Sequence, residues 1–182
     1  MSARALEFVI LTATRAGEAC GARWAEIDWK SKTWTIPAER MKAGREHRVP
    51  LSVEALRLLA RVEPLARRSD GTLDTQRPVF PGLRPAVPIT TNALFWLLRR
   101  RGRGDITVHG FRSTFRDWAA ERTNFPREVA EMALAHRVGD ATERAYQRSD
   151  LFDKRRQLMD AWGRFCATTT VVGEVVQLHA AG

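Results

Sequence analysis

A helical pattern of large apolar residues in the segment "HGFRSTFRDWAAER", residues 109–122, constrains the fold most strongly. Phe111, Phe115, Trp118 and Ala119 stand at positions i, i+4, i+7 and i+8, which share one face of a helix. Weaker patterns with the same period predict further helices, over 3–13, 15–24, 52–68, 90–101, from 126 onward, in a short stretch ending at 146, and over 151–165. Most of the chain is therefore predicted to be helical.

Two of these helices have a predicted buried face. In the helix capped by Ser52, we expect Leu56, Leu59 and Ala60 to face the interior. In the last helix, the predicted apolar face comprises Leu151, Leu158, Trp162 and Phe165. Residues 69–89 contain six glycines and prolines, which predicts a loop.

The period changes in the segment between the second and third predicted helices. "AEIDW", "KTWTIPA" and "HRVPLS" are short, rich in β-branched or aromatic residues, and separated by polar turns. This pattern predicts a small antiparallel sheet of three strands. The end of the chain, 167–182, includes "VVGEVVQL" and is predicted to add a strand-like tail. The predicted fold class is thus α+β, mostly α.

The net charge of the chain favours a polyanionic partner. Lys and Arg number 30 against 21 acidic residues, giving +9, and arginine supplies most of the positive charge. DNA or RNA is the first candidate, and an anionic membrane surface is a distant second. No apolar run is long enough for a membrane span, and Cys20 and Cys166 are too few for a disulfide framework. We expect a cytoplasmic protein with reduced thiols.

Three local patterns place basic residues where an anion could bind. Arg15 precedes a predicted helix start, and Glu18 is spaced to orient it, although a cap or a surface salt bridge explains the same pattern. His109 and Arg112 lie three apart on one helix, where both can donate to one phosphate, on a face predicted to differ from the apolar one. Lys42 lies in the turn "KAGRE", where it either reaches a ligand or is merely solvated.

Two groups of arginines and one tyrosine complete the candidates. Arg40, Arg45 and Arg48 accompany Lys42 on the hairpin, and a second run comprises Arg99, Arg100, Arg101 and Arg103. Both groups suit contacts with a DNA backbone, although the second could be solvated only. The sole tyrosine, Tyr146, lies among polar residues in "ERAYQRSD".

The order Arg15, Lys42, His109, Arg112, His136, Tyr146 resembles the signature of the tyrosine recombinases, the phage-type integrases. The likeness extends over "TATRAGE", "WTIPAERMKAGREHRVPLS", "HGFRSTFRDWAAE" and "LAHRVGDATERAYQRSDLFDKRRQLMDAW", which look like the genomic-island and prophage branch. It covers roughly residues 4–166 and is far more specific than any single motif.

The resemblance implies a role for each of the six residues. Tyr146 would attack a phosphodiester of double-stranded DNA, forming a 3′-phosphotyrosyl link and freeing a 5′-hydroxyl. Arg15 and Arg112 would stabilise the pentavalent phosphorane, with further hydrogen bonds from His109 and His136. Lys42 would protonate the leaving oxygen. The implied chemistry needs no metal and no cofactor.

The resemblance also implies a domain organisation. Residues 1–166 correspond to the catalytic domain without its usual first helix, and the arm-binding and core-binding domains of full integrases have no counterpart. The tail, 167–182, would pack on its own protomer or on a neighbour and so promote self-association. Two other functions stay open, a DNA-binding remnant without catalysis and a type IB topoisomerase-like enzyme. A metal-dependent hydrolase built on His47, His109 and His136 is disfavoured, because no carboxylate has ligand spacing with them.

Overall fold

The computed structural model describes residues 1–136 and 149–168, and this part of the chain is mostly helical. Its α-helices are α1 (Ser2–Thr12), α2 (Ala16–Cys20), α3 (Val53–Val62), α4 (Thr91–Arg100), α5 (Gly110–Arg122), α6 (Arg127–Ala133) and α7 (Phe152–Ala167). Its strands are β1 (Ile27–Asp28), β2 (Thr33–Ile36) and β3 (His47–Pro50). The predicted combination of many helices with a small three-stranded antiparallel sheet is confirmed.

The sheet has the order β1-β2-β3, and both pairs of strands are antiparallel. Thr35 pairs with Arg48 and Ile36 with His47, so the long connection that contains Lys42 closes the β2–β3 hairpin. β1 has only two residues, because a 3₁₀ turn, Trp24–Glu26, takes up the start of the predicted strand. The hairpin therefore carries four of the candidate residues, with Arg40, Lys42 and Arg45 in the connection and Arg48 on β3.

The larger of two cores lies between α1, α3, α4 and the sheet. Its centre is aromatic, since the Phe8 ring lies 5.0 Å from that of Trp34 and 5.3 Å from that of Phe80, centroid to centroid. All three residues are fully buried. Phe80 comes from the predicted loop 69–89, so this loop contributes to the core although it has no helix or strand of its own.

A second core joins α5, α6 and α7. Trp162 packs against Phe115 and Trp118 at 5.4 and 5.0 Å between ring centroids, and its indole N–H donates to the Ile10 carbonyl at 2.7 Å. This bond connects α7 to α1, because a buried indole N–H requires an acceptor. Phe165 was predicted on the same buried face; its ring lies 5.4 Å from that of Trp118 and 5.5 Å from that of Trp162, centroid to centroid, but the residue is 51% exposed.

Two sequence predictions about the first half of the chain need correction. α2 ends at Cys20 rather than near residue 24, because the chain turns at Gly21 into the 3₁₀ segment. The buried residues of α3 are Ala55, Leu58, Leu59 and Val62, while Leu56 is only partly buried and Ala60 is exposed. The predicted face was thus rotated by about one residue.

Two further predictions lie outside the described residues. They are the short helix ending at Tyr146 and the strand-like tail with "VVGEVVQL". Within the described ranges, no helix has the length and the apolar character that a membrane span requires.

The contact between α3 and α7 depends on Gly163. A Cβ atom at this position would overlap the side chains of Ser52, which caps α3, and Glu54. We expect Gly163→Ala to lower the free energy of unfolding by about 1–3 kcal/mol, as overpacking does. Urea unfolding measures the change.

Gly17→Ala is the matched control, because Gly17 is also helical and a Cβ there would meet no atom within 4 Å. That substitution should leave stability unchanged or raise it by up to about 1 kcal/mol. Equal effects of the two substitutions would contradict the close approach of α3 and α7.

Candidate active site

Arg15 immediately precedes α2, and Glu18 holds it there. The Arg15 backbone N–H donates to Glu18 Oε2 at 2.8 Å, and its guanidinium Nη1 donates to Glu18 Oε1 at 2.8 Å. The Glu18 carboxylate is buried, whereas about a third of the Arg15 side chain is exposed. One acidic residue thus caps the helix start and fixes the direction of the arginine while its outer side faces solvent.

Arg112 is a buried cation in the first turn of α5, only 4% exposed. Its Nη1 donates to the carbonyl of Ala13, at the end of α1, and its Nη2 donates to the carbonyl of Leu134, after α6, at 2.7 Å. Burial of this side chain corrects the prediction that its face of α5 is separate from the apolar one. Arg112 instead shares the buried side of α5 with Phe115 and Ala119.

The charge of Arg112 is shaped by its neighbours. Burial, and after it the nearby positive charge of Arg15, lower the pKa of its guanidinium to about 10, while Glu18 acts in the opposite direction. A pKa near 10 keeps Arg112 charged at neutral pH. The two guanidiniums are thus close enough to interact electrostatically.

His136 adjoins this cation and is oriented by a carboxylate. Its Nε2 lies 3.3 Å from Arg112 Nη2, and its Nδ1 lies 2.6 Å from Glu131 Oε2. Arginine only donates hydrogen bonds, so His136 Nε2 must accept the bond from Arg112. Nδ1 must then carry the proton and donate a hydrogen bond to Glu131. Burial raises the pKa of Glu131, but the bond from His136 and the charge of Arg116 outweigh it and hold the pKa below its ordinary value.

Glu131 is a residue of this cluster that was not predicted from the sequence. It occupies the last turn of α6, five residues before His136, and its Oε1 is 2.8 Å from Arg116 Nε. Residues five positions apart do not lie on the same face of a helix, so the sequence spacing of Glu131 and His136 did not predict their contact. Their contact arises because the chain turns after α6, with Ala135 in the left-handed region at φ 53°.

The side chains of His109 and Lys42, two further candidates, do not bind Arg15, Arg112 or His136. His109 is the exposed residue before α5, and Lys42 is exposed in the β2–β3 connection. Neither side chain has a hydrogen bond or an ion pair with residues 1–136 or 149–168. Tyr146 lies outside the described residues. The structure therefore brings Arg15, Arg112 and His136 together. It does not show His109, Lys42 or Tyr146 as part of this cluster.

His47 is a half-buried neighbour of the cluster that the sequence did not single out as an active candidate. Its Nε2 lies 3.3 Å from the Ala133 carbonyl. Partial burial, followed by the charges of Arg155 and Arg112, lowers its pKa to about 4, against the opposing effects of the bond to Ala133 and the charge of Glu18. His47 is thus a neutral donor to Ala133 at neutral pH. In the described part of the chain, no three His, Cys, Asp or Glu side chains are grouped as metal ligands would be.

The arginines predicted to contact DNA have different surroundings. Arg40 binds Glu26 Oε2 at 2.6 Å and the Glu18 carbonyl at 3.1 Å, which leaves less of its guanidinium for a phosphate. Arg103 forms two 3.0 Å bonds to Asp105, and the Arg99 guanidinium lies 4.7 Å from the Phe95 ring centroid. The remaining members are exposed, namely Arg45, Arg48, Arg100 and Arg101.

Comparison with solved structures identifies the fold. The crystal structure of XerA recombinase matches with a TM-score of 0.55 at 20% sequence identity, over 86% of this chain and 62% of that one. At this identity the likeness concerns the fold alone. The described part of the chain thus shares the fold of that recombinase.

Sequence comparison gives the family. The model of the phage integrase family matches residues 1–151, and the chain belongs to this family. It is 40% identical over 165 residues to prophage integrase IntA and 35% identical over 156 residues to prophage integrase IntZ, both of Escherichia coli K12. It is 30% identical over 153 residues to the integrase of Shigella phage Sf6.

These matches cover 83–89% of this chain but only 37–38% of the relatives. The chain thus spans less than half the length of the integrases that it matches.

The lowered pKa of His47 predicts a specific dependence of stability on pH. The unfolded chain protonates His47 below about pH 6.5, whereas the folded chain does so only near pH 4. The contribution of His47 to the free energy of unfolding is therefore fully present above about pH 6.5, and it is lost as the pH falls toward 4. The loss amounts to up to about 3 kcal/mol.

Urea unfolding of the wild type and His47→Gln between pH 7.5 and pH 4 tests this dependence. Gln keeps an N–H donor for Ala133 but does not titrate, so its curve should be flatter within this window. Parallel curves would show that His47 is protonated equally in both states.

Proposed function

We propose that this chain performs the strand cleavage and rejoining of a site-specific DNA recombinase. The observation that carries the proposal is the buried Arg112, tied to two backbone carbonyls next to Arg15 and His136. A cation fixed in this way suits a phosphate whose negative charge increases during reaction. Membership of the phage integrase family supports the same reaction.

The cluster stabilises charge without needing to move. Arg15 is held by Glu18, Arg112 by carbonyls and His136 by Glu131, so the orientation of each is set before a substrate arrives. Preorganised donors of this kind lower the barrier more than mobile ones, because no reorganisation accompanies the reaction. The outward sides of Arg15 and His136 remain accessible to a phosphate.

In the proposed reaction, the Tyr146 oxygen forms a bond to phosphorus while the bond from phosphorus to the 5′ oxygen breaks. The phenol proton needs an acceptor, since an ordinary tyrosine with a pKa near 10 is protonated at pH 7. His109, exposed at the start of α5, is the candidate acceptor. Lys42, in the exposed hairpin connection, is the candidate donor of a proton to the leaving oxygen.

Double-stranded DNA is the proposed partner, and exposed arginines would hold its backbone. Arg45 and Arg48 lie on the hairpin, while Arg100 and Arg101 lie at the end of α4. Contacts of this type position a duplex without reading its sequence. Binding through them should weaken as salt increases.

We also propose the division into a catalytic unit, 1–166, and a tail, 167–182, that mediates self-association on DNA. The tail is rich in apolar β-branched residues, which favours packing against a surface in the same or a neighbouring protomer. Sedimentation of DNA complexes tests this proposal. Deletion of 169–182 should reduce the number of protomers in each complex, and an unchanged assembly would contradict the role of the tail.

A covalent complex is the direct test of the reaction. The substrate is a set of nicked duplexes with a randomised sequence before the nick. Cleavage within that sequence frees a short strand that ends at the nick and diffuses away, so religation is blocked. We expect the wild type to form a denaturant-resistant adduct at a 3′ phosphate in the presence of EDTA. Tyr146→Phe should bind DNA as before and form none. Arg112→Ala should slow adduct formation by roughly 100- to 1000-fold.

Arg122→Ala is the matched control, because Arg122 is an exposed arginine at the other end of α5. It should form the adduct at the wild-type rate. An adduct in Tyr146→Phe would place the nucleophile elsewhere. A wild type that binds duplex without any adduct would favour a DNA-binding remnant, and relaxation of supercoiled DNA without strand exchange would favour a topoisomerase.

A further inference from the structure

A second buried arginine, Arg155, lies in the first turns of α7 and is 2% exposed. Its Nε donates to the Asp150 carbonyl at 2.8 Å, and its Nη2 donates to Asp150 Oδ2 at 2.7 Å. Its Nη1 donates to the Arg48 carbonyl on β3 at 2.7 Å. One side chain therefore ties the residues that precede α7 to the sheet.

The joint held by Arg155 has an unusual backbone conformation. Leu151 has φ 50° and ψ 36°, the left-handed region, which is uncommon for a residue with a side chain. Its N–H donates to Ser149 Oγ at 3.1 Å, and the Phe152 N–H donates to Asp150 Oδ1 at 3.2 Å. Such a conformation persists only where surrounding contacts enforce it. The chain thus enters α7 through a turn that Asp150 and Arg155 fix together.

Arg48 reinforces the same joint from the sheet. Its guanidinium carbon lies 4.0 Å from the centroid of the Phe152 ring, and its Nη1 lies 3.8 Å from Asp150 Oδ2. Asp150 therefore faces two cations, one on β3 and one on α7. A buried arginine is tolerated only where it is well paired, and Asp150 supplies the pairing charge for Arg155.

We propose that Arg155 is a positioning residue for the tyrosine nucleophile. The bonds of Arg155 to Asp150 and to the Arg48 carbonyl are called the clamp below. Asp150 follows Tyr146 by four residues, which span at most about 14 Å when extended, so the clamp limits how far Tyr146 can lie from β3. β3 also carries His47, whose Nε2 lies 3.3 Å from the carbonyl of Ala133, and the carbonyl of the next residue, Leu134, accepts from Arg112. The clamp and the arginine cluster therefore border the same region. This inference rests on the proposed function.

The single tyrosine of the chain permits a test that does not require activity. Incorporation of 3-fluorotyrosine gives one ¹⁹F NMR signal, from residue 146. Arg155→Ala and the milder Asp150→Asn should both change the shift or width of this signal. Arg156→Ala is the matched control, because Arg156 also lies over Phe152, at 5.0 Å, but its bonds are to Ser31 and Lys32. Its signal should match that of the wild type.

The nicked duplexes supply a second measurement. At saturating DNA, Arg155→Ala should slow adduct formation by about tenfold to 100-fold, the size expected from a misplaced reacting group. The dissociation constant for duplex should stay within about twofold, since Arg155 is buried and faces no phosphate. Arg155→Lys retains one bond to Asp150 and should recover part of the rate. Thermal unfolding identifies any variant that fails to fold, and Asp150→Asn then decides the outcome.

Unchanged ¹⁹F signals in folded Arg155→Ala and Asp150→Asn would overturn the positioning role. Equal effects of Arg155→Ala and Arg156→Ala would also overturn it, because they would indicate a general effect of α7. A wild type without any adduct would refute the proposed function, whereas the ¹⁹F comparison would still report whether the clamp acts on residue 146.

Discussion

The hydrogen bonds of the buried Arg112 guanidinium are the constraint on which the candidate active site depends. A buried charge is costly unless its donors are satisfied, and here the carbonyls of Ala13 and Leu134 satisfy them. Both carbonyls lie where a helix has just ended and backbone acceptors are free. The ends of α1 and α6 must therefore stay in place for Arg112 to remain charged inside the protein.

Two acidic residues support the groups around Arg112. Glu18 orients Arg15, and Glu131 orients His136. Both acidic residues are buried. This arrangement allows Arg15 and Arg112 to lie close together while the accessible side of Arg15 presents positive charge to a ligand.

Arg155 follows the same principle at the start of α7. Like Arg112, it is a buried arginine that donates to backbone carbonyls of separate elements. β3 also carries His47, whose pKa is lowered by burial first and then by the charges of both arginines. The short sheet is thus more than a packing layer, since it holds the candidate active site and the entry to α7 in a fixed relationship.

Local patterns in the sequence determined the helices, the three strands and the family, because helical period, β-branched runs and motif order are all properties of neighbouring residues. They also placed Arg15 next to Glu18, which are one helical turn apart. Only the tertiary structure decided that Arg112 is buried, that Glu131 contacts His136 and that Arg155 reaches Arg48. These contacts join residues whose spacing carries no periodic signal, or that lie 107 positions apart, and chain folding alone brings them together.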